Sequence, residues 1–405
     1  MAVLVALAAL LLTTTLAGCE RGTEVSPIEP AAPSREVNNP ELGPPAVDPL
    51  SFGPGDKGSP SWDPSGEQVA FIVDGYVSER SLTSGSYTRR TTRDLGAERV
   101  TWLASGEELA ILGESTNPNP DNEDRETRPL YITRGDEVQL SIESLADNAL
   151  AMSAPTDHDP LVVALKSGEY ESGISTVQPD TGELDAYPEP IDGRVAELSV
   201  TPDAERILAT VVASRGSGPE RYEIHELDLE SGESERLARL PEGQEIFGAP
   251  QQTDNGVYYV VGERGDGVPA NGEGEIRYTL YRLAGDSSSP SPASGVGRDF
   301  IASSIKVSPN GDRLALLGRR DSASATNLYV LDLSGGSLYA ATTNENMEIK
   351  TGVDSLEWRP DGESVTIVAR NDLAEPRVYN GSAATLLAPF YNLYEIPVTD
   401  LRETG

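Results

Sequence analysis

Short apolar segments separated by turn residues recur along most of the chain. The three clearest copies are SPSWDPSGEQVAFI from Ser59, SIKVSPNGDRLALLG from Ser304 and SLEWRPDGESVTIVA from Ser355. In each copy an apolar segment leads into a Pro-x-Gly turn, and a second apolar segment with β-branched residues follows. Proline sets φ at the second position of a turn, and glycine accepts the positive φ of a tight reversal. Each copy therefore predicts a β-hairpin.

Four further copies of this pattern are weaker. RVTWLASGEELAILG begins at Arg99 and ELSVTPDAERILATV at Glu197, while the units from Ala149 and Ala249 are degenerate. Repeats of this period are typical of stacked supersecondary units. Aligning the fourth turn residue of all copies gives positions that are 40 to 55 residues apart: Gly66, Gly106, His158, Ala204, Gly256, Gly311 and Gly362.

A pair of alternating apolar and polar segments follows the hairpins. Examples are NLYVLDLSGGSLYAAT from Asn327 and YEIHELDLESGESERLA from Tyr222, so each repeat predicts four strands. No segment shows a sustained 3.6-residue apolar period, and we expect almost no helix. A four-stranded unit of this size cannot bury both faces of its sheet alone, and a closed ring of such units is a β-propeller.

The predicted fold is therefore all-β, with a β-propeller of four-stranded blades over residues 57–405. Seven blades are expected, and six or eight stay open because the units at Ala149 and Ala249 are degenerate. The last blade contains too little sequence for an outer strand. We expect the segment 44–52 to supply it and so to close the ring.

The repeat motif, with its Trp or Val before a Pro-Asp/Asn/Ser-Gly turn and an apolar-Ala-apolar strand after it, resembles the repeat of the TolB-type β-propellers, relatives of the WD-repeat proteins. The resemblance covers the repeat region as a whole. It implies the propeller fold and a scaffold role, although this repeat also occurs in peptidase side domains and in some lyases. The chain shows no counterpart of TolB's own N-terminal α/β domain, so a transport complex is not carried over.

The N-terminal segment predicts the compartment. Residues 1–18 carry no charge, and their apolar run has the length of a signal-peptide core. The run ends in Leu-Ala-Gly-Cys, which resembles the bacterial lipobox, and Cys19 is the single cysteine of the chain. We expect a lipoprotein signal peptide over 1–18 and diacylglycerol on Cys19. The first basic residue is Arg21, whereas such signals normally begin with a basic residue, so an upstream start stays an alternative.

Residues 19–56 follow as a tether that begins with the lipidated cysteine. The segment is rich in Pro, Glu, Ala and Gly and has few residues able to form a core, which predicts disorder. The protein is therefore expected to be exported and anchored by lipid to the cell membrane, with the propeller on the periplasmic or extracellular face.

Composition excludes several classes of function. The 405 residues contain 31 Lys+Arg against 66 Asp+Glu, a formal net charge of −35, which disfavours nucleic acid as a partner. One cysteine and two histidines do not suffice for a disulfide or for a Cys/His zinc cluster. No cofactor or metal is expected, beyond weak binding of divalent cations to the acidic surface.

Catalytic motifs are not evident. The chain lacks the Gly-x-Ser-x-Gly elbow of serine hydrolases, and His158 and His225 are better explained as surface or packing residues. The acidic loop 117–126 departs from a calcium loop at its turn glycine and its bidentate glutamate, and the Gly-rich loop 264–275 lacks a phosphate-binding context. We interpret the repeated tryptophans, Trp62, Trp102 and Trp358, as blade packing.

The expected function is a non-catalytic, lipid-anchored scaffold that binds an envelope protein or peptide. The alternative is a hydrolase or lyase that acts on envelope or extracellular polysaccharide through carboxylates in the propeller channel. A convergent cluster of channel carboxylates, one with a shifted pKa, would favour the alternative.

Overall fold

Backbone hydrogen bonds close the predicted turns. The donor is the N–H of the fourth turn residue in the repeat alignment, and the acceptor is the carbonyl of the first. Gly66 N donates to Asp63 O, and Gly311 N donates to Ser308 O, both at 2.9 Å. These two glycines have φ of 70° and 75°, which a residue with a side chain adopts only at a cost. Positive φ is shared by further members of the series: Gly106, Ala204, Gly256 and Gly362.

The computed structural model describes the following residues: 50–51, 55–91, 95–114, 128–135, 137–141, 149–154, 160–168, 170–213, 220–264, 276–285, 289–297, 300–320, 324–343, 347–352, 354–371, 377–378, 386–387, 390–399 and 401. Several predictions fall outside these residues: those for 1–18, Cys19, most of the 19–56 tether, His158 and the loops 117–126 and 265–275. In the part that is described, no helix has the length and apolar character needed to cross a membrane.

The strands form seven consecutive antiparallel sheets, which confirms the predicted seven-bladed all-β propeller. Blade 1 contains β1 (Lys57–Trp62), β2 (Gln68–Val73), β3 (Tyr76–Ser81) and β4 (Tyr87–Arg89). Blade 2 contains β5 (Ala97–Trp102), β6 (Glu108–Gly113), β7 (Leu130–Arg134) and β8 (Glu137–Ser141). Blade 3 contains β9 (Ala149–Ser153), β10 (Leu161–Lys166), β11 (Glu171–Val177), β12 (Leu184–Ala186) and the short β13 (Ile191–Asp192), which also pairs with β11.

Blades 4 to 6 repeat the same order from the inner to the outer strand. Blade 4 contains β14 (Arg194–Val200), β15 (Arg206–Ala213), β16 (Arg221–Asp228) and β17 (Ser234–Arg239). Blade 5 contains β18 (Gln244–Thr253), β19 (Gly256–Arg264), β20 (Ile276–Leu283) and β21 (Ser291–Pro292). Blade 6 contains β22 (Ile301–Val307), β23 (Arg313–Arg319), β24 (Asn327–Asp332) and β25 (Leu338–Ala340).

Blade 7 departs from this regular order. Its inner position is shared by β26 (Met347–Ile349) and β27 (Leu356–Trp358), which pair with opposite ends of β28 (Ser364–Asn371). The third strand is β31 (Asn392–Pro397), and a separate hairpin of β29 (Arg377–Val378) and β30 (Leu386–Leu387) lies between β28 and β31 in the chain.

The hydrophobic core is divided into seven clusters, one between each pair of neighbouring blades. Strand β2 shows how alternation fills two of them. Val69 and Phe71 pack towards blade 7, whereas Ala70 and Ile72 pack towards blade 2. Because both faces of the sheet are covered, the second strand of a blade is a nearly continuous apolar run rather than an alternating one.

The three tryptophans lie in these interfaces, as the packing interpretation predicted. Trp62, Trp102 and Trp358 are each only 2% exposed. In blade 1 the indole N–H of Trp62 donates to Thr366 Oγ1 of the preceding blade at 3.0 Å. Among the described residues the indole N–H of Trp102 has no acceptor; Ala70 occupies in blade 1 the register position that Thr366 occupies in blade 7. Trp358 likewise follows an alanine at this position of the preceding blade, Ala315, but its indole N–H donates to Lys306 O at 2.9 Å.

The predicted closure of the ring is confirmed at its described end. Leu50 N donates to Leu393 O at 2.7 Å, and Leu393 N donates to Ser51 Oγ at 2.8 Å, on the free side of β31. Leu50 is also buried in the cluster between blades 7 and 1, together with Phe71 and Val368. The N-terminal segment thus completes the outer part of blade 7 at this point.

Deletion of residues 40–55 is expected to lower the melting temperature by several degrees, because the cluster between blades 7 and 1 loses Leu50 and β31 loses its outer hydrogen bonds. Differential scanning calorimetry would measure the effect. Deletion of residues 22–37, which has the same length, is the matched control and is expected to leave the midpoint unchanged. Equal midpoints for both deletions would contradict closure by the N-terminal segment.

The substitution Ala70→Ser is expected to raise the free energy of unfolding by about 1 kcal/mol, because the new hydroxyl gives the Trp102 indole an acceptor. Ala110→Ser is the matched control at the same position of blade 2, since Ala110 pairs with Thr101 as Ala70 pairs with Ser61. In blade 3, the repeat position that corresponds to Trp102 is occupied by Ala154. This second hydroxyl is expected to cost about 1–3 kcal/mol in urea unfolding. Equal effects would contradict the role assigned to Trp102.

Candidate functional site

The inner strands of all seven blades surround a cavity of about 280 Å³ on the propeller axis. It extends from the level of Arg99 and Asp354 to the prolines of the hairpin turns, among them Pro64 and Pro309. The cavity is the candidate functional site, because ligand sites of propellers and barrels form where strand ends converge around an axis.

One repeat position lines this cavity in every blade. It lies five residues before the fourth turn residue and is occupied, in blade order, by Ser61, Thr101, Ser153, Ser199, Gln251, Lys306 and Glu357. The neutral members are mostly used to join blades. In three cases the side chain accepts a backbone N–H from the next inner strand: Trp102 N to Ser61 Oγ at 2.9 Å, Val200 N to Ser153 Oγ at 3.2 Å, and Val307 N to Gln251 Oε1 at 3.2 Å.

Blades 6 and 7 place an ion pair at this position. Lys306 Nζ lies 2.9 Å from Glu357 Oε2, with the lysine side chain 40% exposed and the glutamate side chain 18% exposed. Burial raises the pKa of the Glu357 carboxyl above its ordinary value; Lys306 opposes this change and the charge of Asp354 adds to it. Glu357 is therefore a carboxylate that is costly to ionise and that depends on its cation.

A second ion-pair group crosses the axis. Arg99 of blade 2 donates through Nη1 and Nη2 to the two carboxylate oxygens of Glu197 in blade 4, at 3.0 and 3.2 Å. Its Nε donates to Asp354 of blade 7 at 3.0 Å. Burial opposes the charged form of Arg99, but the two carboxylates outweigh it and raise the pKa of the guanidinium. The three residues therefore form a bridge of charge-assisted hydrogen bonds between non-adjacent blades.

This arrangement can bind charged or polar groups. The charged side chains that line the cavity, Arg99, Lys306, Asp354 and Glu357, all have an opposite charge within hydrogen-bond distance. Among the described residues no group of three or more His, Cys, Asp or Glu side chains could hold a metal ion.

His225 lies away from the cavity, on β16 in the outer half of blade 4. Its Nε2 is 2.8 Å from Glu223 Oε2, and Arg239 Nε donates to the other carboxylate oxygen at 2.5 Å. Burial opposes ionisation of Glu223, but these partners outweigh it and lower the pKa of the carboxyl. The histidine thus has a packing and hydrogen-bonding environment, as its strand position predicted.

The sequence-based prediction did not include the four charged residues that line the cavity, nor Glu197, which pairs with one of them. All five lie in or next to the repeat copies. Lys306 and Glu357 stand out when the copies are compared at the position five residues before the fourth turn residue, because the other five copies carry Ser, Thr or Gln at that position. The bridge from Arg99 to Glu197 had no such signal, since the chain alone does not tell which blades face each other across the axis.

No family model matches the sequence, and no curated protein matches it. Solved structures do match. A puromycin hydrolase mutant complexed with PGG has a TM-score of 0.53 at 14% identity, over 87% of this chain and 54% of that one. An oligogalacturonate lyase from Vibrio parahaemolyticus has a TM-score of 0.52 at 12% identity, over 87% and 94%.

A TolB protein from Agrobacterium tumefaciens is also similar, with a TM-score of 0.42 at 14% identity over 86% of this chain and 93% of that one. At these identities the similarities concern the fold alone. The chain has the propeller architecture that the repeat implied. Solved structures of a hydrolase and of a lyase are similar to it in fold. The fold therefore does not select an activity.

Replacement of Arg99 by Met is expected to lower the free energy of unfolding by about 3 kcal/mol, because Glu197 and Asp354 lose their shared cation inside the channel. Arg221→Met is the matched control: Arg221 is 48% exposed and lies 4.0 Å from Glu242, and its loss is expected to cost less than about 1 kcal/mol. Urea unfolding of both variants would show the difference. A cost for Arg99→Met no larger than that of the control would contradict the bridge.

Proposed function

We propose that the protein is a non-catalytic binding scaffold, anchored by lipid at the cell envelope. The observation that carries this proposal is the pairing of every charged side chain that lines the described cavity. A general acid or base must exchange protons with a substrate, and a nucleophile needs an adjacent base. Arg99 and Lys306 instead occupy the carboxylates, and no histidine lies among the described residues that line the cavity.

The anchor rests on the sequence. The uncharged segment 1–18 and the lipobox-like ending before Cys19 support export followed by diacylglycerol transfer to that cysteine. Two acyl chains provide the stable membrane attachment that a single chain does not. The tether over 19–56 would then hold the propeller away from the lipid surface on the outer side of the membrane.

The partner class follows from charge. A net charge of −35 attracts basic proteins or peptides and repels nucleic acid, and it speeds association with a cationic partner. The partner that we propose is therefore an envelope protein or peptide with a basic surface. Divalent cations would bind only weakly and without a dedicated site.

A second candidate is a hydrolase or lyase that acts on envelope or extracellular polysaccharide. It is favoured by Glu357, a channel carboxyl whose pKa is raised by burial and which lies near a second carboxylate, Asp354. An oligogalacturonate lyase shares the fold. The ion pair with Lys306 weighs against this candidate, because it engages the channel carboxylate whose pKa is raised.

Crosslinking and pull-down from intact envelopes would test the scaffold. The native protein is expected to recover the same one or two envelope proteins in each replicate experiment. The Cys19→Ala variant is expected to leave the membrane fraction and no longer to recover these proteins. Mass spectrometry of the N-terminal peptide would establish the lipid. Equal membrane attachment and an unmodified cysteine in the native protein would contradict the anchor.

An activity assay separates the two candidates. Purified protein is incubated with envelope polysaccharide, and reducing ends and unsaturated products are measured. No turnover above that of the Glu357→Gln variant is expected. Turnover that Glu357→Gln abolishes, with the melting temperature of that variant unchanged, would replace the scaffold by the enzyme.

A further inference from the structure

The repeat provides an internal control for the charges in the cavity. At the lining position described above, five blades carry neutral side chains: Ser61, Thr101, Ser153, Ser199 and Gln251. Several of these already join neighbouring blades by hydrogen bonds. A partly exposed ion pair contributes little to stability compared with neutral alternatives. Charged side chains are therefore not required at this position to close the ring. The charges of Lys306 and Glu357 need another explanation.

The charges around the cavity are unequal. Three carboxylates, those of Glu197, Asp354 and Glu357, share two cations, those of Arg99 and Lys306, and Asp354 and Glu357 are the two of them that the described cavity lining includes. Arg99 is shared by two of the carboxylates, so the sector formed by Asp354 and Glu357 carries more negative than positive charge. A cationic ligand group would complete this sector, whereas an anionic group would meet repulsion.

Lys306 is the exchangeable partner in this group. Its side chain is 40% exposed, against 13% for Arg99, and with the described residues it makes one ion pair where Arg99 makes two. A lysine ammonium sits on a flexible stem and is strongly hydrated, so it can leave its carboxylate for water at little cost. Glu357 is much less exposed and stays in place on the inner strand.

We infer that the cavity binds a ligand bearing a primary ammonium group, which replaces Lys306 at the Glu357 carboxylate and lies next to Asp354. The volume of about 280 Å³ limits the bound part to a small molecule or to one end of a larger one. This inference rests on the proposed function, because it assigns binding and not chemical conversion to the cavity.

Isothermal titration of the full-length protein with 4-aminobutan-1-ol tests the site, with 1,4-butanediol as the probe that differs only in lacking the charge. The amine is expected to bind in one saturable step and the diol not to bind. Glu357→Gln is expected to weaken binding by about tenfold or more. Lys306→Met leaves both carboxylates and removes the competing cation, and it is expected to tighten binding.

Glu226→Gln is the matched control. Glu226 is 23% exposed and lies 3.3 Å from Arg206 in blade 4, so its removal changes the net charge equally and also breaks a partly buried ion pair. It is expected to leave the affinity unchanged at constant KCl concentration. If Glu357→Gln unfolds, the tightening by Lys306→Met decides the question alone.

Three results would overturn the ammonium site: no saturable binding, equal weakening by Glu357→Gln and Glu226→Gln, or unchanged affinity in Lys306→Met. The probe is also recovered after titration and analysed by mass spectrometry. Chemical conversion of the probe would overturn the non-catalytic function, whereas absence of binding would overturn only this inference.

Discussion

The structure depends on one constraint, which is that a blade has no core of its own. Each sheet is apolar on both faces, and each hydrophobic cluster is formed by side chains from two adjacent blades. Burial of apolar surface contributes about 25 cal/mol per Å², so a blade without both neighbours loses most of its stabilisation. The interface between blades 7 and 1 is therefore as necessary as the other six, and it explains why residues from before the first repeat pack against Leu393 near the end of the last.

The inner strands carry a second set of constraints, which is polar. Backbone N–H groups that these strands do not use within their own blade need partners across the blade boundary, and Ser61, Ser153 and Gln251 supply them. The same repeat position also faces the axis. A residue there can therefore join blades or line the cavity: five blades carry neutral side chains, three of which accept these bonds, and two carry the ion pair of Lys306 with Glu357.

The sequence predicted the fold more completely than the site, for a physical reason. Turns and strand alternation are local, so Gly66 and Gly311 and the apolar run of β2 are readable from a few neighbouring residues. The charged group at the axis is not local, because Arg99 and Glu197 are 98 positions apart and meet only when the ring is closed. Because acidic residues are abundant throughout the chain, the cavity carboxylates do not stand out in the sequence. Only a comparison of aligned repeat positions could have identified Glu357.

The Arg99 bridge restricts what can pass along the propeller axis. Its guanidinium links blade 2 to blades 4 and 7, so charged side chains span the passage at that level. A polysaccharide strand or an extended polypeptide could not be drawn from one face of the propeller to the other without breaking these ion pairs. A ligand that enters from the side of the hairpin turns therefore meets these ion pairs at the other end of the cavity.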